Sequence, residues 1–262
     1  EFGATLIKVD DKRVATGKDF NDKGVLTSTT VTRLDEAVAT ALADGLKRQM
    51  PWTVTSVEEK PASQRPSAPF TTSTLQQEAN RKLGFSSDRT MSVAQRLFQG
   101  VDLGGGELEG LISYHRTDST TLSDKALAEA GHAVQEMYGK DYYRGPRQYQ
   151  TKVRNAQEAH EAIRPTDFRR TPAALERILE SDELKLYELV WKRAVASQMA
   201  DAQLLRTSIE ITGTTPDNHR AVFSSSGKAI EFAGFLRAYV EGSDDPSAEL
   251  GEQETLLPKL KV

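Results

Sequence analysis

The stretch GLISYHRTDSTTLS, residues 110–123, sets a tyrosine, a histidine and an arginine side by side and follows them with hydroxyl residues and one aspartate. Tyr114 ends an apolar run and Arg116 stands two residues on; side chains alternate along an extended segment, so the two share a side. A phenol ordinarily has a pKa of about 10, so a tyrosine attacks at neutral pH only beside a base or a positive field, with donors for the charge that gathers on its target. Arg116, the hydroxyls of Thr117 and Ser119, and the amides that open the next helix are donors of this kind. For a phosphodiester the segment therefore offers a nucleophile and an anion clamp. The same residues also fit a plainer reading, in which a half-buried tyrosine anchors a strand end and Asp118 and Ser119 are turn and capping residues.

A second stretch, AQEAHEAIRP, reads as part of a helix that starts at Asn155 and stops before Pro165. On such a helix Gln157, His160, Glu161 and Arg164 lie three and four apart and form one polar ridge. Glu161 or Glu158 could hold the imidazole protonated and oriented toward a phosphate. A solvent-facing helix with an i,i+3 ion pair is the alternative.

Other chemistries lack their residues. There is no Gly-x4-Gly-Lys-Ser/Thr, Gly-x-Gly-x-x-Gly, Gly-x-Ser-x-Gly or His-Glu-x-x-His pattern, which removes the motif-based readings of nucleotide hydrolysis, dinucleotide binding, serine hydrolysis and zinc proteolysis. With no cysteine, four scattered histidines and no Asp-x-Asp pair, no metal site is expected within this chain.

The elements that must position these residues fall into two textures. At the start, ATLIKVD has strand composition, Thr32 caps an amphipathic helix with Leu34, Val38, Leu42 and Leu46 on one stripe, and WTVTSVEE alternates as a strand. The proline-bearing KPASQRPSAP, residues 60–69, marks a boundary that neither a helix nor a central strand crosses. Beyond it the period changes to that of helices. One runs from a Thr72 or Ser73 cap to Gly84, one from a Ser86 or Ser87 cap to Gly100, and one from Ser123 to Gly139. Thr171-Pro172 opens another, residues 182–200 form the longest, and the glycine-rich VDLGGGELEG is expected to be a flexible loop. After about Ala200, TSIEIT, RAVFSSS and EFAGFLRAYV read as strands. The fold class is α+β: a mainly helical domain, residues 65–200, inserted into a β-rich domain made of residues 1–64 and 201–262.

The chain has 262 residues, 27% of them charged and 37% hydrophobic, with a net charge of −4, an ordinary composition for a soluble globular protein. No apolar run reaches the roughly 18 to 20 residues of a membrane span and no signal segment opens the chain, so no membrane partner and a cytoplasmic location are expected. Net acidity does not exclude a nucleic acid, because charge is local: between Lys140 and Arg170, eight Lys or Arg face four acids, interleaved with Tyr142, Tyr143 and Tyr149. Such a run could hold phosphates and stack bases, or be a solvated, loop-rich surface.

Taken in order, PFTTSTLQQEANRKLGF, RTMSVAQRLF, GLISYHRTDSTTLS and AQEAHEAIRPTD resemble segments of the type IA DNA topoisomerases, in particular the bacterial topoisomerase I group, at similar spacing over essentially the whole chain. The resemblance implies that Tyr114 is the residue that attacks DNA, with Arg116 the arginine beside it and His160 the histidine near the scissile phosphate. It further implies DNA contacts for Thr117, Asp118, Gln157 and Arg164. The implied reaction is breakage and rejoining of single-stranded DNA through a 5′-phosphotyrosine link, which relaxes supercoils without ATP and places the protein at the nucleoid. In that family the residues 65–200 would be the domain of the tyrosine and the β-rich part a hinge or arch. His115 departs from the proline or methionine usual after the tyrosine. The acidic, magnesium-binding TOPRIM domain and a further helical domain have no counterpart here, so Mg2+ would act through missing parts of a longer parent and the chain alone is expected to be inactive.

Two alternatives stand beside this one. The chain could be a non-catalytic DNA-contacting module whose Tyr114 serves structure. Tyrosine recombinases also set Tyr, Arg and His on a phosphate, but there the nucleophile normally follows the basic residues, whereas Tyr114 precedes the HEAIR segment.

Overall fold

The computed structural model describes residues 2–149 and 160–239. Its helices and mixed sheet make an α+β protein, as the two textures imply. The described residues form two compact units, one of residues 2–62 and 204–230, the other of residues 63–149, 160–203 and 231–239.

The first unit carries β1 (Thr5–Val9), β2 (Lys12–Val14), β3 (Val31–Thr32) and α1 (Glu36–Lys47), and most of β4 (Thr53–Gln64), β7 (Ala202–Thr214) and β8 (Arg220–Phe232). The sheet order is β3-β2-β1-β8-β7-β4, with β1 antiparallel to β2 and β8 and β2 parallel to β3. Helix α1 is capped by Asp35, which accepts from the Val38 amide at 2.9 Å, and not by Thr32, which is taken up by β3. Its apolar stripe lays Leu42 and Leu46 against Leu6, Val9 and Ala221, beside Trp52 and Phe223, whose rings stack 5.1 Å apart. Each buried leucine stabilises this core by about 1.5–3 kcal/mol. Strand β4 runs on through Pro61 to Gln64, beyond the WTVTSVEE reading. It is the edge strand, and an edge tolerates a residue without an amide hydrogen.

The second unit is built on α2 (Thr72–Leu83), α3 (Ser87–Gln99), α4 (Asp124–Tyr138), the short α5 (Pro172–Leu175) and α6 (Ser181–Ser197). Ser86, Ser123 and Thr171 cap α3, α4 and α5 through their hydroxyls, and Gly84 ends α2 at φ 66°. Thr71 caps α2, which leaves Thr72 free for another task. Helix α6 is the hub, burying Leu186, Tyr187, Val190, Trp191, Ala194 and Val195, while its polar tips are satisfied: Trp191 Nε1 donates to the Phe168 carbonyl at 3.0 Å and the Tyr187 hydroxyl to that of Arg170 at 2.6 Å.

Three expectations give way here. The end of EFAGFLRAYV is no strand: after Phe232 the chain turns through a short 3-10 helix, Gly234–Arg237. Gly234 sits at φ 51°, and any side chain there would meet the Ala200 carbonyl oxygen at 2.6 Å, so only glycine makes the turn. The turn buries Phe235 and Leu236 and brings the Tyr239 hydroxyl to buried Glu78 at 2.7 Å. VDLGGGELEG is not merely a loop either, because β5 (Val101–Asp102) pairs with β6 (Leu108–Glu109) and Asp102 Oδ1 accepts from the Gly104 and Gly106 amides. Third, Tyr143 and Tyr149 of the basic-aromatic run belong to the packing. Tyr143 lies against Gly131, and the Tyr149 hydroxyl sits 3.0 Å from the carbonyls of both Pro66 and Ser197, its pKa pushed up to about 12 by burial. Arg147, Arg169 and Arg170 of that run are paired with Asp201, Asp167 and Glu109.

Candidate active site

The GLISYHRTDSTTLS segment lies in the second unit, between the end of the glycine-rich hairpin and α4, and bends at Ser113, His115 and Arg116. Its burial alternates: Tyr114, Arg116 and Asp118 are exposed, while His115, Thr117 and Ser119 are buried. Exposure thus follows a two-residue period, which leaves Tyr114 and Arg116 both open to solvent.

Two neighbours fix that conformation. At the N-terminus of α2, the Thr72 amide donates to the Thr117 carbonyl at 2.9 Å, and its hydroxyl accepts from the Thr117 amide at 2.9 Å and donates to the His115 carbonyl at 2.8 Å. One threonine thus satisfies three backbone groups around the arginine, which no helix or sheet does at this point. On the other flank runs the segment of residues 160–166. Isolated bridges pair Ile112 with Pro165 and Phe70 with Ile163. Ser113 reinforces the seam: its amide donates to the Arg164 carbonyl at 2.9 Å, its hydroxyl donates to the Ala162 carbonyl at 2.7 Å, and the same oxygen accepts from the Arg164 amide at 3.0 Å.

That seam overturns the helical reading of HEAIRP. Residues 160–165 are extended, with Ala162 and Ile163 wholly buried and their amides bonded to the carbonyls of Thr121 and Phe70. Pro165 disfavours helical geometry at Arg164, and cross-chain pairing supplies the bonds that a helix would have supplied. Gln157, Glu158 and the expected helix start at Asn155 lie outside the described residues.

The segment brings His160 to Tyr114, with their ring centroids 5.7 Å apart. Phe98, in the last turn of α3, stands 5.4 Å from Tyr114 on an edge-to-face contact. Tyr114 thus has Phe98 and His160 against its ring, while Arg116 and Asp118 are exposed two and four residues on in the chain. Two other expected residues face elsewhere. Thr117 is buried, and its hydroxyl accepts from the Ser119 amide at 3.0 Å. Arg164 gives Nε and Nη2 to Glu161 Oε2, at 3.0 and 2.6 Å, and Nη1 to the Pro165 carbonyl. Glu161 in turn takes the Ser123 amide at 2.6 Å, so it bolts the start of α4 and does not orient His160. Burial pushes its carboxyl up, but the bonds from Ser123 and Arg164 outweigh this and hold it below the ordinary glutamate value. No ion pair engages Arg116 among the described residues. Nor, among them, does any group of three His, Asp or Glu stand ready to hold a metal ion.

The hairpin between α3 and the tyrosine closes on itself. The Leu111 amide donates to the Leu97 carbonyl at 2.8 Å, and Gly110 passes the Phe98 carbonyl oxygen so closely that a Cβ would lie 2.7 Å from it. The hairpin therefore returns the chain to the end of α3 just before Tyr114.

Sequence reasoning missed Phe98, Thr72 and Ser113 as parts of the site. Phe98 reads as one more apolar residue of α3; Thr72 and Ser113 reveal themselves only through partners more than forty residues away.

His115 is the electrostatic oddity. Its ring is wholly buried between neighbours that include Phe98, 5.7 Å away, and neither ring nitrogen has a partner. Burial, and then the charge of Arg116, hold its pKa below the ordinary 6.5. The folded chain thus keeps the neutral form, so its contribution to stability is whole above about pH 6.5 and declines as pH falls below that value, where the unfolded chain takes the proton. We expect thermal unfolding between pH 7.5 and pH 5 to show a loss that His115→Met reduces; an identical pH slope in the variant would contradict this.

Comparison with known proteins follows the same lines. A family model described as DNA topoisomerase matches residues 10–262. The chain is 52% identical to DNA topoisomerase 1 of Mycolicibacterium smegmatis, over 99% of this chain and 27% of that protein. It is 50% identical to DNA topoisomerase 1 of Synechocystis, over 100% of this chain and 28% of that protein. The solved structure of full-length topoisomerase I from Thermotoga maritima is similar with a TM-score of 0.63 at 34% identity, over 84% of this chain and 34% of that one. The chain spans little more than a quarter of the length of these curated relatives.

Proposed function

The chain belongs to the DNA topoisomerase family, and on that premise we propose that within a longer protein it supplies the nucleophile that breaks and rejoins single-stranded DNA. The observation that carries this reading is exposed Tyr114 with the His160 ring against its own and exposed Arg116 two residues on, in a segment held from both sides.

In the reaction the Tyr114 hydroxyl attacks a backbone phosphorus. The bond to Oη forms as the bond to the 3′ oxygen breaks; the phenol gives up its proton and the departing 3′ oxygen gains one. Arg116 takes up the charge that gathers on the non-bridging oxygens, and His160 stands where a donor to the phosphate or a carrier of the proton is needed. One phosphodiester replaces another, so the 5′-phosphotyrosine keeps the energy for resealing and no ATP enters. Passage of another strand before resealing relaxes supercoils. Asp118 and Gln157 are proposed to line the path of the strand, Arg164 to hold Glu161 and the seam beside it, and Thr117 to hold the backbone under Arg116.

We assign the tyrosine to the helical domain of residues 65–200 and a hinge role to the β-rich domain of residues 1–64 and 201–262. Mg2+ belongs, on this reading, to a TOPRIM domain elsewhere in the parent. The described residues offer no carboxylate cluster that fits it, and no step above depends on it. The bound strand and the parent's other domains are then the partners, with the nucleoid as the place of work. Among the described residues no helix is long and apolar enough to cross a membrane.

Two measurements test the reading. Denaturing the parent protein in mid-reaction with a labelled single strand should trap an adduct whose phosphopeptide contains Tyr114. The 262-residue chain by itself, given Mg2+, should leave supercoiled DNA unrelaxed; relaxation by it would refute the dependence on other domains.

A further inference from the structure

The proposed nucleophile stands among rings that its own chemistry does not require. Phe98 is 37% exposed in the last turn of α3, a place where a polar side chain would serve folding equally well. Its centroid lies 5.4 Å from that of Tyr114, itself 43% exposed, and on the other side of Tyr114 comes exposed His160. Phe98 and His160, both exposed, thus each pack against the exposed ring of Tyr114. Beneath it His115 fills the space against both Phe98 and Tyr114, 5.7 and 5.6 Å away, with two unpaired ring nitrogens. A buried imidazole without partners is a poorer filler than an aliphatic side chain. Its flat ring nevertheless backs that of Phe98, 5.7 Å away.

We propose that Phe98 is a stacking platform for the nucleobase next to the phosphate that Tyr114 attacks, propped outward by His115. The inference rests on the reading of Tyr114 as nucleophile toward single-stranded DNA. Stacking on aromatic side chains is how single strands are held with little sequence preference, since every base has a π-face. A phosphate at the Tyr114 hydroxyl carries a nucleoside on each side, and a ring packed directly against that of Tyr114 lies within reach of one of those bases. Phe98 is therefore a positioning residue, which keeps the strand still while Tyr114 and Arg116 act on the backbone.

The test uses the parent protein and single-stranded oligonucleotides, either intact or with an abasic site on one or the other side of the cleaved bond, with covalent capture measured against oligonucleotide concentration. Phe98→Ala should weaken capture about 5- to 100-fold, chiefly through the half-saturating concentration. Phe98→Leu, which refills the apolar volume without a flat ring, should remain impaired, and Phe98→Trp should recover. The abasic site at one flank should cost the wild type a similar factor and cost Phe98→Ala nothing further. Wild-type capture by Phe98→Leu, or an abasic penalty undiminished in Phe98→Ala, would overturn the stacking role. Matched thermal unfolding of the variants separates a loss of fold from a loss of stacking. In the same assay an adduct that survives Tyr114→Phe removes the nucleophile itself and this inference with it; an adduct that vanishes there, while Phe98→Ala behaves as wild type, removes the stacking alone.

Discussion

Tyr114→Phe in the parent protein is expected to reduce covalent capture of DNA to background while leaving the fold intact. Phenylalanine keeps the ring that touches Phe98 and His160 at 5.4 and 5.7 Å and loses only the hydroxyl. Tyr114 is 43% exposed and makes no hydrogen bond among the described residues, so thermal stability should move by no more than about 0.5 kcal/mol. Without the oxygen no bond to phosphorus can form, and no neighbouring hydroxyl is placed to substitute: those of Ser113 and Thr117 are spent on the Ala162 carbonyl and the Ser119 amide. Capture is read as protein-bound label after denaturation. Adduct formation by the variant at an appreciable rate would return Tyr114 to the role of a structural residue and favour a DNA-contacting module without chemistry.

Arg116→Ala is the second large effect. Arg116 is exposed two residues from Tyr114, and among the described residues no carboxylate pairs with it, so its charge is free to meet an anion. Removing one preorganised donor to a developing oxyanion costs about 10²–10³ in rate, and a loss of that size is expected in the cleavage step at saturating DNA. Arg116→Lys should recover part of it, since an ammonium retains the charge but not the two-pronged geometry of a guanidinium on phosphate oxygens. If Arg116 only helped to bind the strand, excess DNA would restore the rate of Arg116→Ala. The comparison with Arg164 is instructive. Although Arg164 stands beside the same seam, its guanidinium is committed to Glu161 and the Pro165 carbonyl.

Much of the site was legible in the sequence because the information is local. The alternation of exposed and buried residues from Tyr114 to Ser119 follows from an extended backbone, and the caps at Ser86, Ser123 and Thr171 follow from the competition of short hydroxyl side chains for free amides. The α+β class likewise follows from where the hydrophobic period is two and where it is near four. The HEAIRP segment misleads for the opposite reason. Its charged and apolar residues have helical spacing, but its backbone bonds go to Phe70 and Thr121, far away in the chain, and no local pattern records that choice.

By itself the sequence placed a tyrosine and an arginine two residues apart in a hydroxyl-rich segment that offers a nucleophile and an anion clamp, with no cysteine or nucleotide-binding loop to compete. Tertiary structure alone decided which residues join them. It brought His160 to Tyr114 through a seam built on Ser113, turned Thr117 inward, tied Arg164 to Glu161, and left Phe98 open beside Tyr114 and against a buried, unpaired His115. The physical reason is one of range. Side-chain alternation and helix caps are settled within a few residues, whereas the satisfaction of buried amides and carbonyls is settled among segments that meet only when the core has formed.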